Sequence, residues 1–348
     1  MIHSQSRRSR TALVVCVAVL AGCTDDPAGP PGPQGDAVGV VVSSTDRTLT
    51  VFDVENPTGT FSIGLAPDGS PVTIAARGAT VVVPMGALPA VVVVDLSTRA
   101  IAHTVPLPEG SGATGVAFLN DSIAIVANPG LNTVSPVNVR RGTRGAEIAV
   151  GAYPQAAIAI NDTVYVLNAN VVDFAPAGPA TLSVITGTPP QVVRTITLSG
   201  TNAGSATATS DGRLIVVNSG SFGLGDGSIS IVSRATLTET AHVTGFGDFP
   251  GAVGMGPDGR VHVASFTYGV AIWDVVTSGF IYAPGQAIAP GGVPSSSGLA
   301  FDEQGRLYTL VPDCREPSRA LRLSTTYDVD VEVPTGICPF GIVFTRIP

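Results

Sequence analysis

Downstream of Asp36 the chain alternates short apolar runs with polar breaks built from glycine, proline, asparagine and aspartate, and the alternation itself recurs. The clearest unit starts at Ile125: IVANPGLNTVSPVNVRRGTRGAEIAVGAYPQAAIAINDTVYVLNAN. A first strand ends at Val126-Ala127-Asn128, and a Pro/Gly/Asn turn leads to an alternating strand. A polar turn leads to a third strand ending at Val150-Gly151, and Pro154 opens a fourth that runs into the Asn161-Asp162 turn. The chain then returns to V-x-N at Val166-Leu167-Asn168. Short apolar runs bounded by turn residues predict strands rather than helices.

Four such strands in each period of about 45 residues predict one blade of a β-propeller. With strands lettered a to d from the axis outward, the b strands are VGVVVSS, TVVVPM, SIAIVAN, TVYVLNAN, RLIVVNSG, RVHVASF and RLYTLVP. The c strands are LTVFDV, VVVVDL, TVSPVNV, ATLSVI, SISIVS, VAIWDV and RALRLS, and each is followed by a d strand. The a strands that precede b strands begin near Pro71, Ala113, Pro154, Ala203, Gly251 and Ser295, which leaves the first blade without one. The missing strand is CPFGIVFTRIP, Cys338 to Pro348, whose opening matches the other a strands. An open ring would expose sheet faces and strand edges at both ends. The expected fold is therefore all-β: a seven-bladed β-propeller of four-stranded blades over residues 38–348, closed by the C-terminal strand joining the N-terminal blade.

Composition agrees. Hydrophobic residues make up 44% and charged residues 13%, and 41 glycines and 28 prolines leave little room for long helices. Valine dominates the apolar set, and β-branching favours strands. All 18 basic residues are arginine, which removes Schiff-base chemistry and any lysine base. The net charge is −8, and −11 once the N-terminal Arg7, Arg8 and Arg10 are left out. A surface this acidic repels phosphate backbones, so nucleic acid is not an expected partner.

The N-terminus reads as three parts: 1–22 a cleaved signal, 23–37 a lipidated cysteine and Pro/Gly-rich linker, and then the propeller. Three arginines precede the apolar run TALVVCVAVLAG, which is too short to span a bilayer and suits a signal peptide. Leu20-Ala21-Gly22-Cys23 resembles the lipobox of bacterial lipoproteins. That resemblance implies cleavage before Cys23, acyl chains on its thiol, and a protein held at the bacterial cell envelope. Thr24 in place of the aspartate that retains such proteins at the inner membrane implies the outer membrane, facing the periplasm or the cell surface. Several acyl chains make release negligible where one chain anchors only marginally. Gly29, Gly32 and Gly35 recur like collagen, but so few triplets hold no triple helix. Extended at about 3.1 Å per residue, the spacer reaches roughly 40 Å.

The repeat resembles the YVTN family of propeller repeats. Val126-Ala127-Asn128, Val166-Leu167-Asn168 and Val216-Val217-Asn218 match its strand-ending asparagine motif. Asp53, Asp95 and Asp274 match the aspartate that ends its next strand, and Pro257-Asp258-Gly259 matches its P-D-G turn. Ser43 and Ser44, Pro84 and Pro312 stand where blades 1, 2 and 7 depart from the asparagine. The resemblance implies a fold more than a function. Most of these landmarks have a structural reading: Asp-Gly and Asn-Asp make hairpin turns, and a strand-end asparagine bonds nearby backbone.

Of four cysteines, Cys16 leaves with the signal and Cys23 takes lipid. Cys314 falls after strand b of blade 7, and Cys338 precedes strand a of the closing blade, on the same face of neighbouring blades. A Cys314–Cys338 disulfide that staples the closure is expected; the alternative is two free thiols.

Chemistry is sparse. His103, His242 and His262 fall in three different blades, so no metal site is expected. No H-E-x-x-H, G-x-S-x-G or P-loop occurs, and neither catalytic residues nor a cofactor are assigned. The glycine-rich SGSFGLGDGS lies between strands with no helix after it, and reads as a flexible loop. Propellers commonly bind ligands on the face that carries the d–a and b–c loops. On that face the long loops of blades 4 and 5 place Tyr153, Asp173, Phe174, Phe222, Asp226, Asp248 and Phe249 as the candidate ligand face. Two function classes follow. The favoured one is a monomeric noncatalytic binding or scaffold module with a protein, peptide or glycan ligand. The other is a lactonase-like hydrolase or a lyase- or dehydrogenase-type propeller enzyme, which needs clustered carboxylates with histidine or arginine, or metal ligands, at the central channel.

Overall fold

The computed structural model describes residues 36–348. The signal, Cys23 and most of the linker lie outside the described residues. Within them the chain is a seven-bladed β-propeller, and each blade is an antiparallel sheet with its strands in sequence order from the axis outward. Blade 4 is representative: Pro154–Ile160, Thr163–Asn168, Thr181–Thr186 and Gln191–Thr197. Blade 1 is the exception the sequence predicts. Its sheet runs Thr60–Gly64, Thr48–Asp53, Asp36–Ser43 and then Pro339–Ile347, with Asp36 opposite Ile347 and Val40 opposite Val343.

The valine runs explain the stacking. In blade 2, Val81, Val82, Val83 and Val91 to Val94 are all fully buried, on both faces of the sheet. Continuous apolar strands of this kind need a cover on each side. The apolar side chains accordingly form seven clusters, one between each pair of adjacent blades. The d strands face outward and carry the polar positions; Ala100–Pro106 is mostly exposed.

The closing interface between blades 7 and 1 is aromatic. Phe52 lies 5.6 Å from Tyr308 and 6.1 Å from Phe344, and Tyr308 lies 4.9 Å from Phe344, between ring centroids. Gly39 makes room for this cluster, since a Cβ there would fall 2.1 Å from the Phe52 ring. Cys314 and Cys338 are bonded. The bridge joins the b–c loop of blade 7 to the residue before the closing strand. Around it the Cys338 amide donates to the Asp313 carbonyl at 2.6 Å, and the Ser44 amide of blade 1 donates to the Cys338 carbonyl at 2.8 Å.

Two local expectations are corrected. The strand-end asparagines spend their amide protons on side chains, chiefly hydroxyls of strand c, and not on backbone. Asn168 Nδ2 donates to Thr181 and Ser183, both at 3.0 Å, and Asn218 Nδ2 to Ser230 at 2.9 Å. The hydroxyl partners come from alternate positions of strand c, so the bond ties b to c beneath the loop face. In blade 3 the d strand is split into Thr143–Arg144 and Ile148–Ala149. Glu147 between them turns inward and accepts from Asn128, Thr133 and Ser135 at 2.7, 2.8 and 2.7 Å.

Because the 24-residue loop spans the ring closure, replacing both cysteines with serine is expected to lower unfolding free energy by about 3 kcal/mol. Reductant should produce the same loss in the wild type, and a nonreduced peptide map should show the 314–338 cross-link.

Candidate functional site

The b–c and d–a connections of all blades share one face. In blade 4 the b–c connection is not a plain loop but a second hairpin, Val171–Val172 against Ala175–Pro176. Asp173 and Phe174 form its two-residue turn, with φ of 48° and 63°. Positive φ at both central positions matches the twist of a hairpin, and it lifts Phe174 into solvent at 96% exposure. In blade 5 the b–c loop is pinned by two carboxylates. Asp226 Oδ1 accepts from the Ser221 amide at 2.8 Å, and Asp248 Oδ1 from the Gly223 amide at 2.7 Å. Phe222, between those two amides, is 73% exposed.

The d–a corners supply the remaining aromatics. Tyr153 and Phe249 have φ of 52° and 49°, and each precedes the proline that opens an a strand. Asn202 and Cys338 hold the same corner in blades 5 and 1, with φ of 57° and 63°. The carbonyls of Tyr153, Asn202 and Cys338 accept from the amides of Ala169, Ser219 and Ser44 at 2.9, 2.9 and 2.8 Å. A left-handed corner of this kind costs of order 1–3 kcal/mol. Its recurrence makes it a feature of blade geometry that the site exploits.

These pieces converge. Tyr153, Phe174, Phe222 and Phe249 line one cleft of about 410 Å³, with Val171 and Gln155 among the other walls. Phe222 and Phe249 meet edge to face at 5.7 Å. Asp173, Asp226 and Asp248 stand in the same loops but outside the lining: the first at the hairpin tip, the other two as loop staples. Sequence reading missed Gln155, Asn202 and Ser219 on the cleft floor. The one signal for them is their shared place beside repeat landmarks.

The central channel opens beside this cleft. A cavity of about 500 Å³ is lined by a strands of all seven blades, through residues such as Ile74, Val116, Ala157, Ala206, Val253 and Ile342, and no lining side chain is ionisable. Small residues recur because the strands crowd the axis; a Cβ on Gly115 would fall 2.5 Å from the Ala156 Cα. At the opposite mouth Arg77, Asp302 and Glu303 are paired with Asp121, Arg306 and Arg346, each at 2.6 Å, and Asp162 also lines it. Among the described residues no three of His, Cys, Asp or Glu come together as a metal site.

A second cleft, of about 760 Å³, lies on that opposite face between blades 6 and 7. His262 forms its floor, buried, with its ring 5.0 Å from Phe301 and its Nε2 3.3 Å from the Tyr327 hydroxyl. The charged walls are ion-paired with carboxylates: Arg306 with Asp302 at 2.6 Å, Arg260 with Asp258 at 3.3 Å. This arrangement reads as interblade structure. His103 and His242 sit in d strands on the outer edges of blades 2 and 5.

No protein-family model and no curated protein matches the chain. Solved structures do resemble it. Hydrazine synthase of Kuenenia stuttgartiensis superposes with a TM-score of 0.63 at 17% identity, over 80% of this chain and 90% of that one. A functionally unknown protein from Desulfotomaculum acetoxidans DSM 771 gives 0.65 at 17% identity, over 89% and 99%. The likeness is one of fold.

Burial holds the His262 imidazole neutral in the folded chain, with its pKa down to about 4. The unfolded chain takes up that proton near the ordinary histidine pKa of about 6.5. Stability from this group is thus present above pH 6.5 and is lost as pH falls toward 4, by about 3 kcal/mol in all. Denaturant titrations of wild type and His262→Met should diverge over that window, with the wild type losing more.

Proposed function

We propose that the chain is an extracytoplasmic binding module, held at the bacterial envelope by acyl chains on Cys23, that takes its ligand noncatalytically through the aromatic cleft of the loop face. The carrying observation is that four aromatic side chains from three blades converge in one cleft while two of them, Phe174 and Phe222, stand largely in solvent. Monomeric proteins seldom leave large apolar groups exposed in a cluster unless the cluster meets something. The channel cavity beside it has no ionisable side chain in its lining, and Arg77, Asp302 and Glu303 at the far mouth are ion-paired. Strand b of blade 1 runs from Asp36 toward the loop face, so the chain enters the propeller on the opposite side, beside Ile347. The YVTN-like repeat and the outer-membrane assignment belong to the same proposal and rest on the sequence motifs at Asn128, Asn168 and Asn218 and on Leu20 to Thr24.

Two measurements test it. Cys23→Ser should move the protein from the membrane fraction to the soluble one, and mass spectrometry should find acylated Cys23 as the mature N-terminus. Immobilised full-length protein should retain a component of envelope extract that Phe174→Ser/Phe222→Ser loses. Arg140→Ser/Arg141→Ser, on the opposite face, should retain it. Both aromatic substitutions are at exposed positions, so unfolding should shift by less than about 0.5 kcal/mol. Equal retention by all three proteins would remove the loop face as the binding surface.

A further inference from the structure

Resting on the reading of the loop face as a ligand site, we propose that the cleft between blades 4, 5 and 6 takes a small free organic cation bearing a quaternary or methylated ammonium group. Its walls include four aromatic residues, Tyr153, Phe174, Phe222 and Phe249. Each ring carries negative charge on its faces, and several rings around one cavity attract a soft, weakly hydrated cation. The edge-to-face contact of Phe222 with Phe249, at 77° between planes, directs two rings differently around the same space. A volume of about 410 Å³ is of small-molecule size.

The polar floor selects the sign of charge. Gln155 Nε2 donates to Asn202 Oδ1 and to the Ala203 carbonyl, both at 3.0 Å. Asn202 Nδ2 donates to the Gly220 carbonyl at 3.0 Å, Ser219 Oγ to the Pro250 carbonyl at 2.7 Å, and Thr114 Oγ1 to the Gln155 carbonyl at 2.9 Å. These protons are turned into the scaffold. A phosphate, carboxylate or sugar ligand needs several converging N–H, O–H or cationic donors, and apart from the Tyr153 hydroxyl the side-chain donors of the lining are engaged in this way. No lysine or arginine lines the cleft.

The field around the cleft points the same way. Asp173 adjoins Phe174 in the hairpin turn, Asp248 adjoins Phe249, and Asp226 and Asp248 bond the loop amides on either side of Phe222. Further carboxylates ring the face, from Asp46 and Asp68 to Glu109 and Glu316, while its loop arginines among the described residues are Arg47 and Arg315. Arg47 donates to the backbone carbonyls of Thr45 and Ala66. Low-dielectric walls within an acidic surround concentrate cations at the cleft mouth.

Calorimetric titration of the full chain in nonionic detergent uses three probes. Choline supplies the trimethylammonium group, 3,3-dimethylbutanol replaces its nitrogen with carbon, and glycerophosphocholine is the headgroup freed of acyl chains. Choline is expected to bind about tenfold more tightly than the neutral isostere. Glycerophosphocholine should bind more weakly than choline, because its phosphate meets the acidic face. Phe222→Leu and Phe249→Leu keep apolar bulk and remove the ring; each should weaken choline about fivefold with the thermal midpoint unchanged. Equal affinity for choline and its isostere overturns the cation assignment, as does no choline binding at millimolar concentration. Tighter binding of glycerophosphocholine than of choline overturns a free cation. The envelope-retention assay is independent of these probes. Loss of retention in Phe174→Ser/Phe222→Ser alongside equal affinities removes the cation and leaves the ligand face standing.

Discussion

Every blade of this protein is a sheet buried on both faces, so every blade must have a neighbour on each side. That single constraint organises the molecule. A valine-rich strand such as Ala90–Asp95 cannot face water on either side. Seven blades satisfy the requirement only if the last one meets the first. The strand Pro339–Ile347 does this by completing the sheet begun at Asp36, so the ring closes through strand pairing as well as apolar contact. The Phe52, Tyr308 and Phe344 cluster and the Cys314–Cys338 bridge reinforce the one interface whose two sides come from opposite ends of the fold.

The ring in turn leaves its loops free to vary. The buried asparagines tie strand b to strand c just beneath the loop face, and the left-handed corner before strand a is clamped by a backbone bond to the next connection. Above that level the chain is released from the repeat. Blade 4 spends its connection on a hairpin and blade 5 on a carboxylate-stapled loop, and each raises a phenylalanine. A rigid floor with projecting loops is a common way to build a binding surface. The axial cavity beside the loop face is lined mainly by small and aliphatic side chains, and the charged residues gather at its opposite mouth.

Much of the fold was legible because the repeat is written in local terms. Alternation, turn residues and the position of Pro154 or Pro250 mark strands without reference to distant contacts, and the surplus a-type strand at the C-terminus declares the closure. The cysteine pair was legible for the same reason, since topology alone puts both positions on one face of neighbouring blades. Glu147 was not legible. Its carboxylate reads as an exposed d-strand residue, and only the split of that strand turns it toward Asn128. Nor was the division of labour among the loop residues. Phe174 and Asp173 look alike as loop-tip residues and together make the turn, yet only Phe174 lines the cleft.

By itself, then, the amino-acid order determined how many blades there are, which strand closes the ring and which face carries the long loops, because hydrogen-bonded strands and tight turns are specified over a few residues. The tertiary structure alone decided that Tyr153, Phe174, Phe222 and Phe249 share one cleft and that the floor's amide and hydroxyl protons point away from it. Those relations depend on the rotation between adjacent blades and on left-handed corners at single residues. Neither leaves a periodic trace in the chain.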